Sequence, residues 1–399
     1  MPILFLTNKI QAYAWGSHST IAELQQRVFP TATPEAEMWL GAHPNAPSQA
    51  NVNGGKASLD ALIAEAPGSW LGPRAPEFQG RLPFLLKVLA AETPLSLQAH
   101  PNQEQARLGF EEDEARGIPK QDPRRRYQDA NHKPELLCAL TPFEALCGFR
   151  NIAETLALFR PLQIRSLAPT LQRLANNPTN AGLKECFTSL LQADTSTRIQ
   201  LVEETLVACE KQSAVLGPHQ KSYALSLKLH ALYPHDIGIL SQLLLNFVEL
   251  SPGDAIYLPA GNLHAYVGGA GIEIMASSDN VLRGGLTPKP VHTEELLKIL
   301  DFSPLAVSPI RGVPHGALEK VYPTPAKEFQ LSQLELHEES WNGAVASAEI
   351  WLCTRGTAEL RSGSHFQVLT QGQSAVVSAD VARLGVRGNA TLFRATLGR

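Results

Sequence analysis

The spacing of apolar and polar residues changes twice along the chain. Up to about residue 150 the apolar runs are short, and Pro and Gly interrupt them often, as in GAHPNAPS and PGSWLGPRAP. That pattern predicts short strands, loops and a few helices. LPFLLKVLAA and PLSLQAH predict buried β segments, although the first is also short enough to be helical. From residue 151 to about 245 the period lengthens. Ile199, Val202, Leu206 and Cys209 recur at helical spacing, as do Phe187, Leu190 and Leu191, with charges between them. This block predicts amphipathic helices and carries no cluster of metal-ligand residue types. From Phe247 the strand-like pattern returns in FVELSPGDAIYLPAGNLHAYV, broken by Pro-Gly and Ala-Gly turns. It continues through EIWLCTRGTAEL, HFQVLTQGQSAVVSA and ATLFRATL, for which an all-β sandwich or jelly roll is the natural reading.

The expected division is therefore a discontinuous β domain from 1–150 and 246–304, a helical domain over 151–245, and a C-terminal β-barrel over 305–399. A weak internal repeat links the two β regions. Pro259, Gly261 and His264 follow Gly253 at offsets that, counted from Gly372, fall on Ser378, Asp380 and Arg383. The strand-turn-strand rhythm is kept and the histidine is lost, which predicts a second barrel without a metal.

Composition narrows the function classes. A chain of 399 residues has room for two or three full cores, and 44% apolar with 18% charged residues fits an ordinary soluble protein. The net charge of −4 gives no general attraction to nucleic acid, so an anionic ligand must be held by local charge. No apolar run approaches the length of a bilayer span, and MPILFLTNKIQAYAWGS lacks the basic lead and cleavage site of a signal peptide. The five cysteines are scattered, odd in number and free of CxxC pairs, so a reducing compartment and hence a cytoplasmic location are expected. Oligomeric state is not legible; a monomer is the working expectation.

Two segments are more polar than a structural strand pair requires. One is HAYVGGAGIEIMASSDNVLRGGLTPK, His264 to Lys289; the other is YQDANHKPE, Tyr127 to Glu135. Together they resemble the paired signatures of the type I phosphomannose isomerases, zinc enzymes that interconvert mannose 6-phosphate and fructose 6-phosphate. YAWGS, EMWLGAHP and LSLQAHP extend the resemblance over most of the chain, with 305–399 matching least. The resemblance implies a mainly β protein with an inserted α-helical domain. It also implies cupin-type jelly-roll barrels, a catalytic one that binds metal and a metal-free C-terminal one.

It further implies one Zn2+ per chain and a phosphosugar substrate that isomerises through a cis-enediol(ate). The implied ligands are Gln98, His100, Glu135 and His264. Gln98 and His100 alternate, so on a strand both face the same side. A lone histidine is more often a core or surface residue than a ligand, and of 12 only these two are expected to bind metal. Glu104, four residues past His100, is where the usual cupin spacing would place the acid; the isomerase resemblance favours Glu135. A neutral amide at Gln98 leaves the site a net positive charge, suited to an anionic intermediate.

Ser96 and Lys87 are the expected phosphate-binding groups, with Lys289 also available to the substrate and Tyr266 lining the pocket. Arg283 is expected to stabilise the enediolate. Gly284 and Gly285 allow close backbone approach, although the family usually has alanine where Gly284 stands. Lys133, Glu273 and His132 remain open as proton carriers, with Lys133 and His132 expected to point into one cavity. Asp279 and His100 could assist ring opening, and Asp279 could equally just orient Arg283. His43 receives no chemical role, and the triplet Arg124–Arg125–Arg126 is read as a solvated charge run. Two other functions compete: a different metal cupin such as an iron oxygenase, and a sugar-phosphate-binding relative without activity.

Overall fold

The computed structural model describes residues 3–52 and 54–398. The strands of the first half are β1 (Ile3–Thr7), β2 (Lys9–Gln11), β3 (Glu37–Gly41), β4 (Gln49–Val52), β5 (Gly55–Ser58), β6 (Phe84–Ala91), β7 (Leu97–Ala99), β8 (Glu135–Ala139) and β9 (Phe143–Phe149). A helical block follows. The chain then forms β10 (Leu245–Leu250), β11 (Asp254–Leu258), β12 (His264–Ala276) and β13 (Leu282–Gly285). The last part contains β14 (Ile310–Arg311), β15 (Val313–His315), β16 (Glu319–Tyr322), β17 (Gln330–Ala344), β18 (Glu349–Ser362), β19 (His365–Thr370), β20 (Ser374–Val377) and β21 (Arg383–Thr396). The protein is thus mainly β with a helical insertion. Among the described residues, no helix is long and apolar enough to cross a membrane.

One sheet has the order β14-β11-β8-β12-β6-β3-β2. β12 ties it to a second wall. The first residues of β12, His264 to Gly268, pair with β7 and β9, whereas Gly269 to Ala276 pair with β6 and β8. The turn from one wall to the other falls at a register shift and at Gly269, whose φ is +112°. A side chain there would meet the Pro142 carbonyl at 2.6 Å, so glycine is required on two counts.

β6 is buried along its whole length. One face, Leu86, Val88 and Ala90, joins Met38, Leu40, Ile272 and Ile274 in a core shared with Ile350, Leu352 and Phe393 of the C-terminal sheet. The other face, with Leu89 and Ala91, joins Leu137, Phe143 and Tyr266 in the space between the two walls. A strand covered on both faces reads as a continuous apolar run, which is why its period-2 signal was hidden and a helix remained open. On the far wall, Leu97, Ala99, Leu146, Phe149, Ala265, Val267 and Leu282 pack against Phe187, Leu190 and Val202 of the helices. The helix Thr195–Ser213 buries Leu201, Val202, Thr205 and Cys209, a stripe slightly rotated from the expected one.

The C-terminal sheet runs β15-β16-β17-β21-β18-β20-β1-β4-β5, with β19 on β18. Its strands do not come from 305–399 alone. β1 pairs with both β20 and β4, so the first sixty residues, expected wholly in the catalytic domain, contribute to this sheet. The repeat is visible in the backbone. Gly253 (φ +89°) precedes β11, a turn and the long β12; Gly372 (φ +80°) precedes β20, a turn and the long β21.

Candidate metal centre and active site

His100 directly follows β7, Glu135 opens β8, and His264 opens β12. All three are buried, and their ligand atoms lie within 4.8 Å of one another. His100 Nε2 is 3.4 Å from Glu135 Oε1, and His264 Nε2 is 3.3 Å from Glu135 Oε2. The other ring nitrogens face backbone carbonyls: His100 Nδ1 to Asn280 O at 2.6 Å, His264 Nδ1 to Asn262 O at 3.0 Å. A proton on each Nδ1 makes those bonds and leaves the Nε2 lone pairs directed inward. His100 Nε2, His264 Nε2 and Glu135 Oε2 are buried without a hydrogen-bond partner among the described residues. Buried polar atoms are rarely left so. Three converging electron-pair donors with no donor facing them fit a cation. Burial, with Lys133 nearby, pushes the His100 imidazole down to about 4, which keeps it neutral. Burial alone would raise the Glu135 carboxyl, but Lys133 and His100 hold it well below the usual range.

The second signature supplies the frame around these ligands. Asn280 accepts the Gln128 N–H at 2.7 Å and donates to the Asp129 and Asn131 carbonyls at 2.8 and 2.9 Å. Ser278 Oγ donates to Asp129 Oδ1 at 2.9 Å. This knot fixes the Asn280 carbonyl that orients His100.

Gln98 is the register partner of both His264 and Arg283, so Gln98 lies between them on one face of the wall. Its amide has no hydrogen bond among the described residues, and its position suits a fourth donor. Arg283 likewise has no carboxylate or carbonyl partner among the described residues, and burial lowers its guanidinium pKa. Lys289 is lowered too, by burial and then by Arg283. Ser96 is half-buried just before β7. At Gly284, a Cβ would touch Leu263 and Leu296 at 3.2 and 3.3 Å, so neighbouring leucines occupy much of the space an alanine would take.

On the facing wall Lys87, Glu273 and Trp39 form a cross-strand row. Lys87 Nζ lies 2.9 Å from Glu273 Oε2 and 3.4 Å from Glu37 Oε1, and 5.5 Å above the Trp39 ring. Tyr266 is buried and its hydroxyl donates to Glu273 Oε1 at 2.8 Å. Burial raises the Glu273 carboxyl; Lys87 opposes this, and Glu135 and Glu37 reinforce it.

Several expectations change. Lys133 Nζ reaches Glu135 Oε1 at 2.9 Å, but its neighbour His132 does not join it; His132 Nε2 meets Glu328 Oε1 at 2.8 Å. Successive residues of the extended segment point apart. Asp279 does not orient Arg283. Asp279 Oδ1 lies 3.3 Å from His43 Nε2, and Asp279 Oδ2 accepts from Asn45 Nδ2 at 2.9 Å. Glu104 is 65% exposed and paired with Arg107, outside the ligand cluster. The arginine triplet is solvated only at Arg124. Arg125 is buried against Glu114 and the Ile118 and Tyr127 carbonyls, and Arg126 binds Asp113 and Glu295. Glu37 and His43 were missed. The alternation of Glu37 and Trp39 in EMWLG was the available signal for an inward-facing polar row.

The description "Phosphomannose isomerase type I, catalytic domain" matches residues 3–152, and the corresponding helical insertion domain matches 163–245. The mannose-6-phosphate isomerase of Escherichia coli K12 is 37% identical over 392 residues, covering 98% of both chains. The human protein of that name is 35% identical, covering 88% of this chain and 87% of its own. A zinc-bound crystal structure of mannose 6-phosphate isomerase superposes with a TM-score of 0.92 at 35% identity, with all of both chains covered. These likenesses span the helical insertion as well as the β walls, and the chain belongs to the type I phosphomannose isomerase family.

Proposed function

We propose that this chain is a zinc-dependent aldose–ketose isomerase that interconverts D-mannose 6-phosphate and D-fructose 6-phosphate through a cis-enediol(ate). The observation that carries this reading is the convergence of His100 Nε2, His264 Nε2 and Glu135 Oε2, which have no hydrogen-bond partner among the described residues. Zinc held by these residues and Gln98 would supply Lewis-acid polarisation of the sugar oxygens at C1 and C2. Two neutral imidazoles, an amide and one carboxylate leave the centre net positive. Nothing observed favours the oxygenase or the inactive relative.

The remaining roles are assigned as follows. Asp279 takes the proton of the C1 hydroxyl during ring opening, and the Lys133 ammonium delivers its proton to the ring oxygen as the C1–O bond breaks, which leaves Lys133 a neutral amine. The neutral Lys133 amine, in reach of Glu135, then takes the proton from C2 and returns it to C1. Glu273 is less suited to that task because Tyr266 and Lys87 occupy both its oxygens. His132 is set aside because Glu328 holds it. Arg283 meets the enediolate charge, and its lack of a partner among the described residues supports that use. Lys289 and Ser96 hold the phosphate. Lys87 contributes positive charge from below, but two carboxylates already engage it, so its part as an anchor is secondary. Tyr266 acts through Glu273.

The same reading takes the β walls as cupin-type jelly-roll barrels. It keeps the catalytic domain at 1–150 and 246–304 except for β1, β4 and β5, which complete a metal-free barrel with 305–399, and it has 151–245 covering one wall. The enzyme works as a soluble cytoplasmic monomer. A coupled assay for fructose 6-phosphate formation from mannose 6-phosphate, with and without chelator, tests the reading. Activity lost on chelation and restored by zinc is expected; no isomerisation by the zinc-loaded protein would overturn it.

A further inference from the structure

His43 follows β3 in the segment EMWLGAHP and is 3% exposed. Its surroundings fix its tautomer. Nδ1 accepts the backbone N–H of Asn45 at 3.3 Å, so the ring proton sits on Nε2, which lies 3.3 Å from Asp279 Oδ1. The ring stands edge-on to Trp39 with centroids 4.8 Å apart, and Trp39 Nε1 donates to Glu37 Oε2 at 2.7 Å. The imidazole therefore cannot turn without breaking contacts on three sides. Asp279 is different: its side chain is 37% exposed, so part of the carboxylate is open to incoming ligand.

The two carboxylate oxygens are held separately. Oδ1 faces His43 Nε2–H, and Oδ2 accepts Asn45 Nδ2–H at 2.9 Å. The Asp279 backbone N–H donates to Asp129 Oδ2 at 2.7 Å, in the knot that presents the Asn280 carbonyl to His100. A carboxylate oxygen has two lone pairs, and each of these bonds uses one. One lone pair per oxygen remains for a substrate hydroxyl. Burial would raise Asp279, but His43, Lys133 and Lys87 together hold it low and ionised.

We propose that His43 is a positioning residue for the isomerase: it fixes the Asp279 carboxylate as the acceptor of a sugar hydroxyl proton during ring opening. The inference rests on the isomerase reading above and deepens it. A base that must meet one hydroxyl gains from a single orientation, and misplacement by about 1 Å costs on the order of 10²-fold. Without His43, Asp279 could rotate about its side-chain bonds and hold the right orientation only part of the time.

A double-mutant cycle on the zinc-loaded enzyme tests this. Wild type is assayed first; absence of isomerase activity would sink the functional reading itself. His43→Gln should lower kcat about 10–100-fold, leave KM for mannose 6-phosphate within about threefold, and keep zinc content unchanged. Asp279→Asn should lower kcat at least as much. In the Asp279→Asn background, His43→Gln should cost no more than about twofold, because residues acting as one unit are not additive. Wild-type kcat in His43→Gln, a rise confined to KM, or losses that multiply would each overturn the proposal. If His43→Gln does not fold, His43→Asn takes its place in the cycle. Should neither fold, Asp279→Asn decides alone, since wild-type turnover there leaves His43 nothing to position.

Discussion

Lys87 and Glu273 are register partners on β6 and β12, and their charged ends meet at 2.9 Å in the interior between the two walls. Glu37 joins them at 3.4 Å, so two carboxylates share one buried ammonium. Removing one member of a buried pair leaves an uncompensated charge and typically costs about 3–5 kcal/mol.

Lys87→Met should therefore destabilise the fold by about that amount while leaving the zinc ligands in place. Denaturant unfolding of wild type and variant, with zinc analysis alongside, reads the effect. A loss below about 1 kcal/mol would mean that solvent reaches the pair.

Arg283→Ala should behave in the opposite way. Arg283 has no internal partner among the described residues, so stability should hardly move, whereas kcat should fall roughly 10²–10³-fold. Zinc content should remain that of wild type. Turnover lost only together with zinc would remove Arg283 from enediolate stabilisation.

Gln98 separates two accounts of the metal shell. If its amide is the fourth donor, Gln98→Leu should weaken zinc binding about 10–100-fold in a chelator competition. Unchanged zinc affinity would leave the centre with His100, Glu135 and His264 alone.

Acid should destabilise the chelated protein in a defined window. The His100 imidazole lies near 6.5 when unfolded and is pushed down to about 4 in the fold. A depressed pKa gives stability that is present above 6.5 and lost as pH falls toward 4, on the order of 3 kcal/mol across the window. His100→Gln should flatten that part of the stability-against-pH curve in the presence of chelator; an unchanged slope would assign it to other groups.

Glu328, in the loop before β17, reaches the active segment: its Oε1 meets His132, while its Oε2 is buried without a hydrogen bond among the described residues. Glu328→Ala should raise amide hydrogen exchange over 128–134 and leave exchange in β6 unchanged. Equal protection in both proteins would show that the 127–135 segment is held by the Asn280 knot alone.

The cluster of His100, Glu135 and His264 was legible because each residue stands in a short polar motif, and motif context rather than spacing overcame the bias against the two histidines. The helical block was legible from Val202 and Cys209 at period 3.6. Side-chain direction was not. His132 and Lys133 are adjacent in sequence, yet one meets Glu328 and the other Glu135. Arg125 gave no sign of burial because its partners, Glu114 and two carbonyls, are assembled by a turn. The pairing of β1 with β20 joins residues more than 360 positions apart, and nothing in the local pattern of ILFLT names its partner. His43 looked inert because its meaning depends on Asp279, brought to it only by folding.

The bend at Gly269 lets a single strand carry His264 at one end and Glu273 beyond the turn. The candidate ligand and the buried charge triad are then coupled mechanically, like two fittings on one bracket. No hinge between domains can alter their separation, because only eight residues of continuous backbone lie between them. A side chain forced onto Gly269 would run into the Pro142 carbonyl and shift the alignment of both stations together.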